Sequence, residues 1–167
     1  MIVVIMGVSG SGKTTVGRLL AQRLDWSYYE GDQYHSAANI EKMSKGVSLD
    51  DDDRMPWLAS IKNEIDKCVE SGSDAVIACS ALRRTYRLAL TASDSDTRFV
   101  YLKGDPAIIR QRMKFRDRHY MKASMLESQF ASLEEPDDAI VIDIGISPQD
   151  IVSCIESELT VVGKSHG

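Results

Sequence analysis

Residues 7 to 14 have the types and the spacing of a phosphate-binding loop. They read Gly7-Val-Ser-Gly-Ser-Gly-Lys-Thr14, which fits the pattern G-x-x-x-x-G-K-[ST]. Glycine lets the backbone turn its N–H groups towards an anion, because no side chain obstructs an approaching phosphate. The positive charge of Lys13 would interact with the β- and γ-phosphates, and the hydroxyl of Thr14 would ligate Mg²⁺. The predicted nucleotide-binding residues of this loop are Gly7, Val8, Ser9, Gly10, Ser11, Gly12, Lys13, Thr14 and Thr15.

The sequence on either side of the loop predicts a strand before it and an amphipathic helix after it. Ile2 to Met6 form a short apolar run, and apolar residues recur at helical spacing at Val16, Leu19, Leu20 and Leu24. A helix that begins at the loop directs the positive end of its dipole at the same anion site. This context favours a nucleotide site over a chance stretch of glycine and serine, but the loop alone identifies no reaction.

Asp32 and Ser80 each end a predicted strand. Residues 25–32 form a short strand that ends at an acidic turn, and residues 74–80 form an apolar run typical of a strand buried on both faces. Open parallel sheets bind ligands at this end of their strands. A P-loop ATPase usually carries a metal-binding carboxylate where this chain has Ser80, so any role as metal ligand or base shifts to Asp32.

Arg54 lies at the predicted start of a long helix, where a cation opposes the preference set by the helix dipole. We expect Asp53 to cap this helix and Pro56 to lie in its first turn. The position of Asp50 and Asp52 at the helix start is explained equally well by a favourable interaction with the helix dipole and by a function. It does not explain Arg54, which indicates a binding role for that residue.

Two further groups of basic residues are candidates for binding anions. The first lies at the start of a helix predicted over 81–90 and comprises Arg83, Arg84 and Arg87. The second comprises Arg110, Arg112, Lys114, Arg116, Arg118 and His119. In a small nucleotide kinase such a run lies in a mobile lid that reaches over the phosphates. A solvated basic helix is the alternative for the second group.

The composition excludes several classes of protein. In 167 residues, 20 Lys and Arg against 25 Asp and Glu give a net charge of −5, which offers no general attraction to nucleic acid or to an anionic membrane. The cysteines, Cys68, Cys79 and Cys154, are odd in number and widely spaced, so they indicate neither a disulfide framework nor a zinc site. We therefore expect a soluble cytoplasmic protein, without an export signal or a membrane span.

The order of the predicted elements indicates one α/β domain. Strands are expected at 2–6, 25–32, 74–80, 97–102 and 139–143, with helices between them and a last helix that begins at Ser147-Pro148. Such alternation requires a parallel sheet covered on both faces. The prediction is a P-loop kinase fold with a five-stranded parallel sheet, formed by residues 1–167 as a single domain.

Four blocks of sequence extend the pattern beyond the loop. They are Glu30-Gly-Asp-x-x-His35 with Asn39 and Lys42-Met43; Asp51-x-Asp-Arg-x-Pro-Trp-Leu58; Ala78-Cys-Ser-Ala-Leu-Arg-Arg-x-Tyr-Arg87; and Arg116-x-x-His-x-Met121, followed by Ser128-Gln-Phe130 and Leu133-Glu134. With these blocks the chain resembles the gluconokinases of the small P-loop type, which are related to shikimate and nucleoside monophosphate kinases. Ser36, Ser48 and the pair Lys122-Ala123 replace prolines that are common in the family, a change that affects loop rigidity more than chemistry.

The resemblance implies ATP-dependent phosphorylation of D-gluconate to 6-phospho-D-gluconate, with Mg²⁺, in a cytoplasmic homodimer. It implies an acceptor-binding region at about 32–60 and a lid at about 112–135. The catalytic residues would be Lys13, Asp32 and Arg116, with Arg112 and Arg116 also at the nucleotide. The substrate-binding residues would be Asp32, His35, Asn39, Arg54, Ser80, Arg83, Arg87 and His119.

Other functions are compatible with the same motifs. A shikimate-like or nucleoside monophosphate kinase could share the loop, the lid and Asp32. Outside enzymes, the loop could belong to a nucleotide-dependent switch or to an RNA-associated ATPase, which would need a partner surface that this sequence does not indicate. Release of ADP that depends on gluconate would distinguish these possibilities.

Overall fold

A parallel β-sheet of five strands runs through the part of the chain that the structure describes. The structure is a computed structural model that describes residues 1–91, 97–114 and 123–163, without the side chains at 123, 124 and 161–163. The strands are β1 (Ile2–Met6), β2 (Ser27–Glu30), β3 (Ala75–Ala78), β4 (Thr97–Lys103) and β5 (Ile140–Asp143). Their order in the sheet is β2-β3-β1-β4-β5. The predicted parallel α/β fold is confirmed.

Strand β1 forms the centre of the sheet. Val4 pairs with Ile77 of β3 on one side and with Phe99 of β4 on the other. All residues of β1 are buried, because both faces of a parallel sheet are covered. Successive side chains alternate between the two faces, so Val3 belongs to one core and Val4 to the other.

Helices cover both faces of the sheet. They are α1 (Lys13–Leu24), α2 (Ala37–Ser44), α3 (Asp51–Glu70), α4 (Arg84–Leu90), α5 (Pro106–Lys114), α6 (Ala123–Ser132) and α7 (Pro148–Gly163), with a short 3-10 helix at Gly31–Tyr34. Leu20 of α1, Ile109 of α5 and Ile155 of α7 contribute to the core on one face. Ile61 of α3 and Leu90 of α4 contribute to the core on the other. Within the described residues, no helix is both long enough and apolar enough to cross a bilayer.

The start of α3 differs from its prediction. Asp50, not Asp53, is the capping residue, and its carboxylate accepts a hydrogen bond of 2.8 Å from the backbone N–H of Asp53. The carboxylate of Asp53 accepts in return from the N–H of Asp50 at 3.1 Å, so the two form a capping box. Because the helix begins three residues earlier than expected, Pro56 lies beyond its first turn.

The start of α4 and the presence of α6 also differ from the predictions. Helix α4 begins at Arg84 instead of 81, because the backbone of Ala81 has a φ of +43°, which a right-handed helix cannot include. Helix α6 was not expected, since Ala123–Ser132 follows a basic run that carries no clear apolar period. Both differences affect the wall of the site described next.

Gly31 shows how closely two strand ends approach each other. A Cβ atom at this position would lie 2.5 Å from the carbonyl oxygen of Ala78, so only glycine permits the turn. This turn places Asp32 beside the carboxyl ends of β1 and β3. The loops after β1, β2 and β3 therefore meet at one edge of the sheet, where such folds bind ligands.

Candidate active site

The phosphate-binding loop connects β1 to α1 and has the backbone that the sequence predicts. Gly7, Gly10 and Gly12 have φ values of +145°, +80° and +100°, which favour glycine. The ammonium of Lys13 donates to the carbonyl oxygens of Gly7 and Val8 at 3.0 and 3.1 Å, so the side chain folds back over the loop. Burial lowers the pKa of Lys13, and the charge of Asp32 opposes that change.

The hydroxyl of Thr14 lies next to a carboxylate that was not among the predicted site residues. It donates a hydrogen bond of 2.8 Å to Oε2 of Glu30, at the end of β2. The hydroxyl of Tyr28 donates to the same oxygen at 2.7 Å. Burial and the contact with Glu30 raise the pKa of Tyr28, which keeps that hydroxyl protonated as a donor.

A cavity of about 390 Å³ lies between this loop, the acceptor region and α6. It brings together seven of the predicted site residues: Ser9, Gly10, Lys13, Asp32, His35, Arg54 and Ser80. The remaining lining comes from helices α2 to α6 and from the loops before α3 and α4. It includes Met43, Leu49, Trp57, Leu82, Tyr86, Met113, Met125, Ser128 and Gln129. The cavity therefore has the cationic phosphate-binding loop and Arg54 in its wall.

His35 is held in place by a stacked ring and a buried amide. Its ring stacks on that of Trp57, with centroids 4.2 Å apart, and the indole N–H of Trp57 donates to the carbonyl of Gly31 at 2.7 Å. The buried amide nitrogen of Asn39 donates to the carbonyl of Asp53 at 2.9 Å and lies 3.3 Å from Nδ1 of His35. Asn39 thus lies behind His35 and is not part of the cavity lining.

The environment of His35 favours the neutral ring. Burial lowers the pKa of His35, Arg54 acts in the same direction, and Asp32 opposes both. If Nδ1 accepts from Asn39, the proton of the neutral ring is on Nε2. His35 can then donate one hydrogen bond from Nε2 to a hydroxyl oxygen.

Arg54 lies half-buried at the wall of the cavity and contacts Tyr86. Its Nη1 donates to the Tyr86 hydroxyl at 3.2 Å, and the Tyr86 hydroxyl donates to Oδ1 of Asp51. Asp51 also pairs with Arg83 at 3.3 Å, and Asp53 pairs with Lys42 at 2.7 Å. Asp51 and Asp53 therefore form their ion pairs with other cations, and Asp51 is linked to Arg54 through the Tyr86 hydroxyl.

The three arginines proposed for the substrate carboxylate differ in their surroundings. Arg54 lines both the cavity and a shallow surface depression, and Arg83 lines only that depression, together with Asp50 and Asp52. Arg87 is buried, and its Nη1 donates to the carbonyls of Ala81, Leu82 and Glu134 at 3.1, 3.3 and 3.1 Å. These contacts give Arg87 a structural role in joining the loop before α4 to the segment after α6.

The predicted lid falls only partly within the described residues. Arg112, at the end of α5, is exposed and donates to the carbonyl of Ile144 at 2.8 Å. Arg116 and His119 lie outside the described residues. Beyond them, α6 returns to the site, and Oε1 of its Gln129 accepts from the backbone N–H of Ser9 at 2.7 Å.

Several cavity residues could have been found from the sequence and others could not. Trp57 and Tyr86 belong to the sequence blocks quoted above, but they were not among the predicted site residues. Met125 comes from α6, whose existence was not predicted, and Gln129 comes from the same helix although it belongs to the fourth quoted block. Glu30 also belongs to a quoted block and is the last residue of β2, and a carboxylate at that end of a parallel strand is a sequence signal for a site residue.

Comparison with known proteins places the chain among kinases. The family model described as shikimate kinase matches residues 9–157. A gluconokinase of Gluconobacter oxydans (strain 621H) is 46% identical over 89% of this chain and 85% of its own length. The thermoresistant gluconokinase of Escherichia coli (strain K12) is 39% identical over 98% of this chain and 94% of its own.

A solved structure agrees with these sequence relatives. The crystal structure of a gluconokinase from Sinorhizobium meliloti 1021 matches with a TM-score of 0.88 and 36% identity. The match covers 98% of this chain and 93% of that one. Identity of this size extends over almost the whole chain, and a phosphate-binding loop lines the cavity. The chain therefore belongs to the gluconokinase family of P-loop kinases.

Proposed function

We propose that the protein transfers the γ-phosphoryl group of ATP to the 6-hydroxyl of D-gluconate and releases ADP and 6-phospho-D-gluconate. The observation that carries the proposal is that Lys13, Asp32 and Arg54 line a single cavity of about 390 Å³. These residues supply the charges that the reaction needs: a cation for the phosphates, a carboxylate for the reacting hydroxyl and a cation for the sugar acid. The gluconokinase relatives support the choice of acceptor.

In the proposed reaction Asp32 orients the 6-hydroxyl of gluconate and accepts its proton. The hydroxyl oxygen attacks the γ-phosphorus, and the bond from that phosphorus to the β,γ-bridging oxygen breaks, so that its electrons leave with ADP. Lys13 and the backbone N–H groups of the loop stabilise the negative charge on the phosphoryl oxygens. Asp32 is exposed at the cavity, as expected for a base that must reach a substrate.

Other residues of the cavity can bind the carboxylate and the remaining hydroxyls of gluconate. The guanidinium of Arg54 can bind the carboxylate through parallel hydrogen bonds, which are stronger for a charged donor and acceptor. His35 and Ser80 line the same cavity as Asp32 and Arg54 and can hydrogen-bond the hydroxyls of gluconate. Asn39 contributes by holding His35.

The residues around Thr14 suit Mg²⁺, which prefers oxygen ligands. The Thr14 hydroxyl touches Glu30, and Asp32 belongs to the same strand-end loop, so one hydroxyl and two carboxylates are available there. When bound, Mg²⁺ would neutralise charge on the phosphates of ATP. Within the described residues, no group of three or more His, Cys, Asp or Glu side chains could hold a metal ion. Phosphate oxygens of ATP and water would supply further ligands, as is usual for Mg²⁺.

Several further assignments are part of the same proposal. We assign residues 32–60 to the acceptor and residues 112–135 to a lid, in which Arg112 and Arg116 would contact the nucleotide and His119 the substrate. We also propose a homodimer in the cytoplasm that serves gluconate use in carbohydrate metabolism. The gluconokinase resemblance supports these assignments.

The proposal is tested by coupling ADP release to an optical assay with purified protein, ATP and Mg²⁺. Release should require D-gluconate and should not occur with shikimate, a nucleoside monophosphate or RNA. The product should carry phosphate on carbon 6, as shown by phosphorus NMR. Lys13→Ala serves as the inactive control, and equal ADP release with shikimate in place of gluconate would refute the proposed acceptor.

A further inference from the structure

We infer that Tyr86 is a positioning residue that holds the guanidinium of Arg54 for the carboxylate of the substrate. The inference rests on the proposed function, in which Arg54 binds the acid group of gluconate. It adds that selectivity for an acid depends on a neutral hydroxyl from another helix, which Asp51 orients in turn. Arg83, Asp51, Tyr86 and Arg54 form this chain of contacts from the surface to the cavity.

The contact between Arg54 and Tyr86 joins two helices at the cavity wall. Nη1 of Arg54, on α3, donates to the hydroxyl of Tyr86, on α4, at 3.2 Å. The guanidinium carbon lies 5.6 Å from the centre of the Tyr86 ring. Tyr86 is 4% exposed, and both residues line the cavity. The Tyr86 hydroxyl is therefore fixed by core packing, whereas the long side chain of Arg54 needs a partner to hold it.

Asp51 determines which way the Tyr86 hydroxyl points. A phenol has one proton to donate, and Tyr86 donates it to Oδ1 of Asp51. The lone pairs of the oxygen are then available to accept from Arg54. Burial and the bond to Asp51 raise the pKa of Tyr86, so the hydroxyl keeps its proton at neutral pH. Nη1 of Arg83 donates to both oxygens of Asp51 at 3.3 Å and so helps to hold this carboxylate in place.

A neutral partner is what a cation needs if it is to bind an anionic substrate. Had Arg54 paired directly with a carboxylate, the substrate would have to displace that carboxylate or share the cation with it. Two nearby acids have other contacts, since Asp53 pairs with Lys42 at 2.7 and 2.8 Å and Asp50 caps α3. Asp50 and Asp52 also line the surface depression that Arg54 shares with Arg83. Tyr86 fixes one edge of the guanidinium through a neutral group, and its other N–H groups can bind a carboxylate.

The test is Tyr86→Phe, which keeps the ring and removes only the hydroxyl. We expect the KM for gluconate to rise about 3- to 12-fold, the effect of losing one hydrogen bond, with kcat and the KM for ATP nearly unchanged. In an Arg54→Ala background the same change should have no further effect on gluconate, because Tyr86 acts through Arg54. Tyr29→Phe is the matched control, since the Tyr29 hydroxyl contacts Cys68 instead.

The outcomes separate this inference from the proposed function. If wild-type protein releases no ADP with gluconate, the proposed function fails before Tyr86 is examined. If wild type is active and Tyr86→Phe keeps its gluconate KM, or if the loss persists undiminished in Arg54→Ala, the inference is overturned. If Tyr86→Phe does not fold, Asp51→Ala is the second variant, because Asp51 is exposed and its removal leaves the Tyr86 hydroxyl without its acceptor. Asp51→Ala should raise the gluconate KM only when Arg54 is present.

Discussion

The hydroxyl of Thr14 and the carboxylate of Glu30 are joined by a hydrogen bond of 2.8 Å between the loop after β1 and the end of β2. Tyr28 donates to the same carboxylate oxygen at 2.7 Å, so Glu30 is held by two hydroxyls. A carboxylate fixed beside the P-loop hydroxyl of Thr14 can accept hydrogen bonds from water on a bound cation. The relationship makes Glu30 part of the proposed Mg²⁺ site.

Glu30→Gln should raise the Mg²⁺ concentration needed for half-maximal activity several-fold, at saturating ATP and gluconate. Glutamine keeps the size of the side chain and an oxygen that can accept from Thr14, but it loses the negative charge that attracts the cation. The measurement is ADP release across a Mg²⁺ titration. Glu156→Gln, which alters an ion pair with Arg23 away from the cavity, is the control. An unchanged Mg²⁺ requirement would remove Glu30 from the site.

Asp32→Asn should lower kcat by about 10²- to 10⁴-fold and change the KM for gluconate much less. The amide can still hydrogen-bond the 6-hydroxyl, but it cannot take the proton. Steady-state kinetics with gluconate as the varied substrate measures both constants. If kcat stays within a small factor of wild type, Asp32 binds or supports the substrate and another group is the base.

Arg54→Lys should raise the KM for gluconate with little effect on the KM for ATP. The ammonium cannot reproduce two parallel hydrogen bonds to a carboxylate, and losing a charge-assisted bond costs about 1.5–3 kcal/mol in kcat/KM. Kinetics with each substrate varied in turn provides the measurement. A variant that lost thermal stability and kept its gluconate KM would indicate that Arg54 only fastens the start of α3.

His35 should make the folded state less stable in weak acid. Burial lowers the pKa of His35, so between its folded and unfolded pKa values the unfolded chain binds more protons. Stability is therefore lost as the pH falls through the unfolded value, about 6.5, and recovered as the pH rises. The difference in thermal midpoint between wild type and His35→Gln should therefore become smaller as the pH is lowered from 7.5 to 5. Differential scanning measurements can test this. Parallel pH profiles would contradict this account.

The sequence alone determined the phosphate-binding loop, the order of the strands along the chain and the parallel sheet. These features depend on local patterns, because glycine at 7, 10 and 12 and the apolar runs at 2–6 and 74–80 each leave few conformations open. Asp32 and Arg54 could be singled out for the same reason. Asp32 lies at the end of a predicted strand and Arg54 at the start of a predicted helix, where a charged side chain can be interpreted from its neighbours in sequence.

Only the tertiary structure decided which of these residues share a cavity and which support it from behind. Arg54 and Tyr86 are 32 positions apart, and Ser9 and Gln129 are 120 apart, so neither contact follows from any local period. Arg54, Arg83 and Arg87 look alike in sequence, yet one lines the cavity, one pairs with Asp51 at the surface and one is buried against carbonyls. The physical reason is that helix packing determines where a long side chain ends, whereas sequence spacing determines only where it begins.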